Sequence, residues 1–160
     1  VKLITDFISQ FGTNLKLDES LIAIKQGRFY LLGKTLKEFT LSRDFFYAGA
    51  YLGKVRRGVF FPSFNLLSMI AVNKDSNKVT VDERSEWLFI VGRDLFKRGI
   101  LKVAGSKRRG TYALVVNQYG ESLGFGRILH GLDEGGKENQ VAVKNISDVG
   151  DFLRRERHRE

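Results

Sequence analysis

The 160-residue chain has no cysteine, one proline, one tryptophan, one methionine and two histidines, and each scarcity removes a class of chemistry. Without cysteine there is no disulfide, no thiolate nucleophile and no Cys-ligated zinc, a composition that suits the cytoplasm. His130 and His158 are far apart in sequence and have no local partners at metal-ligand spacing. A zinc or iron site would therefore need mainly carboxylates, so structural or surface histidines are expected, with no metal and no cofactor. Apolar runs are short, none approaching the roughly 18 residues of a membrane span. Val1 to Phe11 mixes polar and apolar residues without a cleavage-site pattern, so neither secretion nor membrane spanning is expected.

Acidic residues are also in deficit, at 18 against 27 basic ones, for a net charge of +9. The excess is no appended tail: eleven Lys and Arg face six Asp and Glu up to Asn77, and sixteen face twelve after it. Such a balance favours polyanions through long-range attraction and counterion release, leaving RNA, DNA or an anionic membrane surface as partners. With 42% hydrophobic and 12% aromatic residues and no repeat or low-complexity tract, the chain has material for a packed core.

Leu3, Ile4, Phe7, Ile8 and Phe11 recur at helical spacing and predict an amphipathic helix ending near Gly12. Two β-prone runs around Gln26-Gly27 predict a hairpin, Lys34 to Phe39 a helix, and Tyr47 to Val55 a strand with close backbone approach at Gly49 and Gly53. Val59 to Phe61 forms a further apolar run, after Pro62 of which Ser63 can cap a helix carrying Leu66, Leu67 and Ile70. The polar stretch 73–78 is the best domain boundary. Beyond it, short strands are expected at Val79 to Val81, Glu86 to Ile90, Ile100 to Val103, Ala113 to Asn117, Ser122 to Leu129 and Gln140 to Lys144. A turn of helix is expected at Arg93 to Lys97 and a helical end from Ile146. That spacing predicts a small β-barrel.

Several motifs admit two readings. Gly49-Ala-Tyr-Leu-Gly53-Lys54 superficially resembles a phosphate loop, but is one residue short and is followed by Val55 instead of Ser or Thr. Gly124-Phe-Gly126 lies within an expected strand and lacks the third glycine of a dinucleotide fingerprint, so close strand packing is the better reading. Asp82, Glu83 and Glu86, and Asp133, Glu134 and Glu138, could position an acid and a base, yet solvated surface charge is the default. Basic groups cluster at Arg56-Arg57, Lys97-Arg98, Lys107 to Arg109 and Arg154 to Arg159, with Tyr112 and Tyr119 nearby. Basic loops beside aromatics suit phosphate contact and base stacking on RNA.

The second half resembles a PUA domain, the RNA-binding module named for pseudouridine synthases and archaeosine transglycosylases. The likeness rests on Val79-Thr-Val, Glu86-Trp-Leu-Phe-Ile-Val-Gly92, Leu95-Phe-Lys-Arg-Gly99-Ile, Gly110 with its strand, and Leu123-Gly-Phe-Gly126. The whole chain is similar to the Nip-seven family of ribosome biogenesis factors, through Gly49 to Lys54, Leu123 to Gly126 and Ile146-Ser-Asp-Val-Gly-Asp-Phe-Leu-Arg-Arg155. Pro62 departs from eukaryotic members and points to an archaeal-type one.

The resemblance implies an α+β protein with two parts. Residues 1–77 would form an α/β pre-PUA domain with an antiparallel sheet and flanking helices, and residues 78–160 a small mixed β pseudo-barrel. It implies non-catalytic RNA binding in pre-rRNA processing and large-subunit assembly, in the cytoplasm, or the nucleus and nucleolus of a eukaryote. The implied partners are rRNA precursors and other assembly proteins, including the Shwachman-Bodian-Diamond syndrome protein family. Candidate phosphate contacts are Lys97, Arg98, Lys107, Arg108, Arg109, Arg154, Arg155, Arg157 and Arg159, with Tyr112 as a stacking partner. Two other readings stand beside this one. One is an RNA-modification enzyme or its accessory subunit, which the first 77 residues disfavour by offering no cysteine, no histidine and no evident nucleophile. The other is a docking module whose basic face meets an acidic protein.

Overall fold

A computed structural model describes residues 1–41, 43–133 and 135–156. The first half is a four-stranded antiparallel sheet, β1 (Ile22–Lys25), β2 (Arg28–Leu31), β3 (Ala50–Arg56) and β4 (Val59–Pro62), in the order β1-β2-β3-β4. Three helices flank it: α1 (Lys2–Ser9), α2 (Lys34–Leu41) and α3 (Phe64–Val72). The β1–β2 hairpin turns on Gln26 and Gly27, with φ of 49° and 73°, the left-handed pair that a two-residue hairpin needs to match strand twist. Ser63 caps α3 as expected: its hydroxyl accepts from the Leu66 N–H at 3.2 Å and donates to the Tyr51 carbonyl, tying the helix start to β3. At Gly49 and Gly53 the carbonyls of Leu31 and Phe61 occupy the space a Cβ would need.

The second half is a curled six-stranded mixed sheet, ordered β6-β10-β9-β8-β5-β7, which closes into a half-barrel. Its strands are β5 (Lys78–Val81), β6 (Leu95–Phe96), β7 (Ile100–Ala104), β8 (Tyr112–Val116), β9 (Ser122–Ile128) and β10 (Val141–Asp148), with helix α4 (Glu83–Ile90) between β5 and β6 and helix α5 (Val149–Glu156) after β10. The β5–β8 pair is parallel and the other pairs are antiparallel. Gly124 and Gly126 serve this curl: a Cβ at either would collide with β10 backbone, at the Ser147 and Lys144 carbonyls.

Three local expectations are corrected. Glu86 to Ile90 is helical, not extended, because Asp82 accepts from the Ser85 N–H at 2.7 Å and caps α4, which buries Phe89 and exposes Trp87. The aromatic run has strand-like composition, but the cap and one-sided burial prevail. The turn of helix expected at Arg93 to Lys97 is instead strand β6 followed by a 3-10 turn at Lys97–Gly99, since Phe96 and Leu95 pair with Val141 and Val143. The helical end begins at Val149, not Ile146, because Ser147 and Asp148 still pair with Phe125 and Gly124.

Strand β8 is buried on both faces. Ala113 and Val115 point into the half-barrel, while Leu114 and Val116 join a core with Ile4, Phe7, Phe11, Leu52 and Ile70 from the first half. One continuous apolar core therefore links the halves, with Phe7, Phe11 and Phe125 in mutual edge-to-face contact at 5.2 to 5.6 Å. Within the polar stretch between the halves Lys74 and Asp75 are exposed, but Ser76 and Asn77 are interior, at 0% and 4% exposed. Asn77 N–H donates to the Phe11 carbonyl at 2.7 Å and its own carbonyl accepts from Leu114 N–H at 2.9 Å. Its side chain accepts from Ser106 N–H at 2.8 Å and donates to the Tyr112 carbonyl at 3.2 Å. The polarity of Asn77 reflects a buried hydrogen-bond junction.

Candidate nucleic-acid interface

The basic residues between Lys97 and Arg109 converge where β7 forms the edge of the half-barrel. The 3-10 turn after β6 is pinned by main-chain bonds from Lys97 N–H to Gln140 and from Arg98 N–H to Glu138, at 3.0 and 3.1 Å. Opposite it, the loop 105–111 is held by Gly110 N–H to Ile128, at 2.7 Å, and by Leu132 N–H to Lys107, at 2.9 Å. Between them lies a groove of about 230 Å³ with Lys97, Lys102 and Lys107 above an aliphatic floor of Ile100, Leu101, Val103 and Leu132. Apolar stems with charged heads in water are how lysines line a polyanion track. Lys107 pairs with Asp133 at 2.8 Å, and Arg98 donates to Asn139 at 2.9 Å with its guanidinium 5.5 Å from the Phe96 ring centre. Arg108 and Arg109 project from the loop into solvent.

Lys102 escaped the sequence reading, which looked for clusters; strand alternation between apolar Leu101 and Val103 was the available signal. Its charge has a measurable neighbour. Burial, and then the Lys102 charge, hold the Lys78 amine below the ordinary lysine range, while Lys78 donates to the Ala71 carbonyl at 2.6 Å near the end of α3.

Other candidates have different surroundings. Tyr112 is part-buried, its ring packed against Phe11 and Phe125, with Arg127 donating to its hydroxyl at 2.9 Å from above the ring. Arg154 faces inward: both oxygens of buried Asp148 accept from its Nη2 at 2.9 Å, and its Nη1 donates to the Ile90 carbonyl at 2.9 Å, bracing α5 on α4. The Arg155 side chain, and Arg157, Arg159 and His158 as whole residues, lie outside the described residues. Tyr119 is 89% exposed at the β8–β9 turn.

Three members of the acid clusters have structural partners, and Glu134 lies outside the described residues. Asp82 caps α4, Glu86 accepts from Asn117 at 3.2 Å, and Asp133 pairs with Lys107. Among the described residues, no group of three or more His, Asp or Glu is placed to hold a metal ion, and no helix is long and apolar enough to cross a membrane. His130 meets Gln140 at 3.0 Å. Gly49 to Lys54 runs into an antiparallel strand, so it lacks the strand-to-helix turn of a phosphate loop.

A curled mixed sheet with one parallel pair and a basic edge defines a protein of the PUA class, a domain type that binds RNA. Residues 77–157 match the model of the UPF0113 PUA domain. The chain belongs to this family, and over 98% of its length it is 30% identical to a UPF0113 protein of Archaeoglobus fulgidus, covering 91% of that protein. Among solved structures it is similar to a conserved PUA domain protein from Thermoplasma acidophilum, at 25% identity and a TM-score of 0.62, over 97% of this chain and 92% of that one. The fold is shared with a hypothetical protein of Pyrococcus horikoshii, at 19% identity and a TM-score of 0.55, over 95% of this chain and 93% of the other.

Proposed function

We propose that the chain is a non-catalytic RNA-binding factor that acts, as the Nip-seven likeness implies, in pre-rRNA processing and assembly of the large ribosomal subunit. The observation that carries RNA binding is the groove in which Lys97, Lys102 and Lys107 converge over an aliphatic floor, on the edge of a PUA domain, with Arg98, Arg108 and Arg109 around it. The absence of catalysis is supported by what the carboxylates do: Asp82, Glu86 and Asp148 are engaged in caps and internal bonds. Contact with other assembly proteins, the Shwachman-Bodian-Diamond syndrome protein family among them, is assigned to the first half. There Phe46 is 85% exposed and Phe39 and Tyr47 are largely exposed, an apolar surface with basic Arg43 beside it.

RNA affinity measured against salt tests the binding role. If Arg98, Lys102, Lys107, Arg108 and Arg109 together neutralise about five phosphates, the log-log slope on single-stranded RNA is about −3.5. The triple variant Lys102→Ala, Arg108→Ala, Arg109→Ala is expected to weaken binding to all sequences and flatten the slope by about 2. An unchanged slope in the folded variant removes this surface from the interface. Crosslinking in cells at native abundance, followed by RNA sequencing, tests the ribosomal role: enrichment of large-subunit rRNA supports it, and a diffuse transcriptome-wide signal overturns it.

A further inference from the structure

A second feature lies between the halves and shares no lining residue with the groove. A pocket of about 370 Å³ is walled by Phe7, Phe60, Tyr112 and Phe125, with the carboxylates Asp6 and Asp151 and the side chain of Ile146 completing its lining. Its aromatic rings pack edge to face at 5.4 and 5.5 Å, so the wall is a fixed apolar surface. Beside it a row of side chains crosses the sheet: Tyr112 pairs with Arg127, and Arg127 pairs with Lys144.

The Arg127–Lys144 pair is the informative one. Like charges directly opposite on neighbouring strands destabilise a sheet, and among the described residues neither side chain meets a carboxylate. The Tyr112 hydroxyl fixes the Arg127 guanidinium above a ring that also lines the pocket. Among the described residues the two cations beside the aromatic cavity thus have no carboxylate partner, an arrangement that becomes favourable once an anion bridges them. The loop carrying Lys107 to Arg109 leads directly into this row, since Gly110 N–H donates to Ile128 and Ile128 N–H to Thr111.

We infer that this pocket takes one unstacked nucleobase of a single-stranded RNA whose adjoining phosphate sits on Arg127 and Lys144. The inference rests on the RNA-binding reading above and adds base selection to it. Aromatic walls suit a base face. A carboxylate at the rim accepts from donors on a base edge, and guanine offers two adjacent ones, N1–H and the N2 amino group. A basic peptide would satisfy Asp6 but would be repelled by the Arg127–Lys144 pair.

The test uses the full chain and two ten-nucleotide RNAs, all-uridine and the same with one central guanosine. The guanosine RNA is expected to bind at least about ten-fold tighter, the low end for hydrogen bonds to a charged acceptor. Ile146→Trp and Val59→Trp fill the pocket from two sides at partly exposed positions, and either, checked for folding by circular dichroism, is expected to bring the two RNAs to equal affinity. Asp6→Asn is expected to shrink the advantage, and Arg127→Ala with Lys144→Ala to weaken both RNAs and flatten the salt slope by about 0.7, the loss of one phosphate contact. Equal affinity of the parent for the two RNAs overturns the base pocket and leaves the RNA-binding reading intact. So does an advantage that survives both tryptophan variants, which would make the cavity a docking site for an apolar protein segment. Failure of the parent to bind either RNA overturns both readings.

Discussion

Asn77 and Gly105 are expected to behave as one energetic unit. Asn77→Ala removes the acceptor for Ser106 N–H and the donor to the Tyr112 carbonyl. Both groups are part-buried, so losing their partners costs about 1 to 1.5 kcal/mol each, or about 2 to 3 kcal/mol together. Gly105 has φ of 78°, and a Cβ there would collide with Asn77 Oδ1. Gly105→Ala therefore combines a left-handed strain of about 1 to 2 kcal/mol with displacement of the Asn77 amide, which forfeits about 1 kcal/mol of the same hydrogen bonding. In the double variant the collision with the amide is gone and only the tight contact with Asn77 Cα, at 3.0 Å, is left, so its destabilisation should fall short of the sum by about 1 kcal/mol. Urea denaturation of the four proteins measures this, with circular dichroism reporting the whole chain and the single tryptophan, Trp87, reporting the PUA half. Because Leu114, Val116 and Phe125 share a core with α1 and α3, the two probes should give coincident transitions in the parent. Additivity within about 0.5 kcal/mol would refute the shared contact, and separated transitions would refute the shared core.

Two further outcomes follow from side chains with structural duties. Arg154→Ala should cost about 2 kcal/mol, reduced from the usual value for a broken buried pair because the arginine side chain is 44% exposed; an unchanged urea midpoint would refute the brace between α4 and α5. Asp18 is held below the ordinary carboxylate range by hydrogen bonds from Ser20, and Asp44 by its hydrogen bond with Lys25. A lowered folded-state pKa gives stability that is present above the unfolded value of about 3.9 and lost as pH falls through the folded one. Thermal stability of the parent should therefore drop more steeply below about pH 4 than that of the double variant Asp18→Asn, Asp44→Asn. Parallel curves would refute the assignment.

Local pattern sufficed for much of the chain. The stripe of α1, the Gln26-Gly27 hairpin, the Ser63 cap and the glycine-bearing β9 are encoded within a few residues each, where spacing and backbone preference coincide. It failed where composition and capping disagreed: Trp87-Leu-Phe-Ile90 has strand-like residues but follows a capping aspartate, and the cap with burial of Phe89 set the helix. Clusters of basic residues marked the PUA half, yet charge in sequence carries no direction. The contrast between Arg109 and Arg154 shows this, one in solvent and the other bound to buried Asp148.

What composition and periodicity decide is what each segment can bury and what sign of charge it carries, because both are properties of neighbours along the chain. Only the tertiary fold buried Ser76 and Asn77 as a hydrogen-bond junction, brought Lys102 beside Lys97 and Lys107, and set Arg127 opposite Lys144 next to an aromatic pocket. Those relations are made by strand register and by long-range packing of β8 between two layers, and register is a property of pairs of segments that neither segment encodes alone.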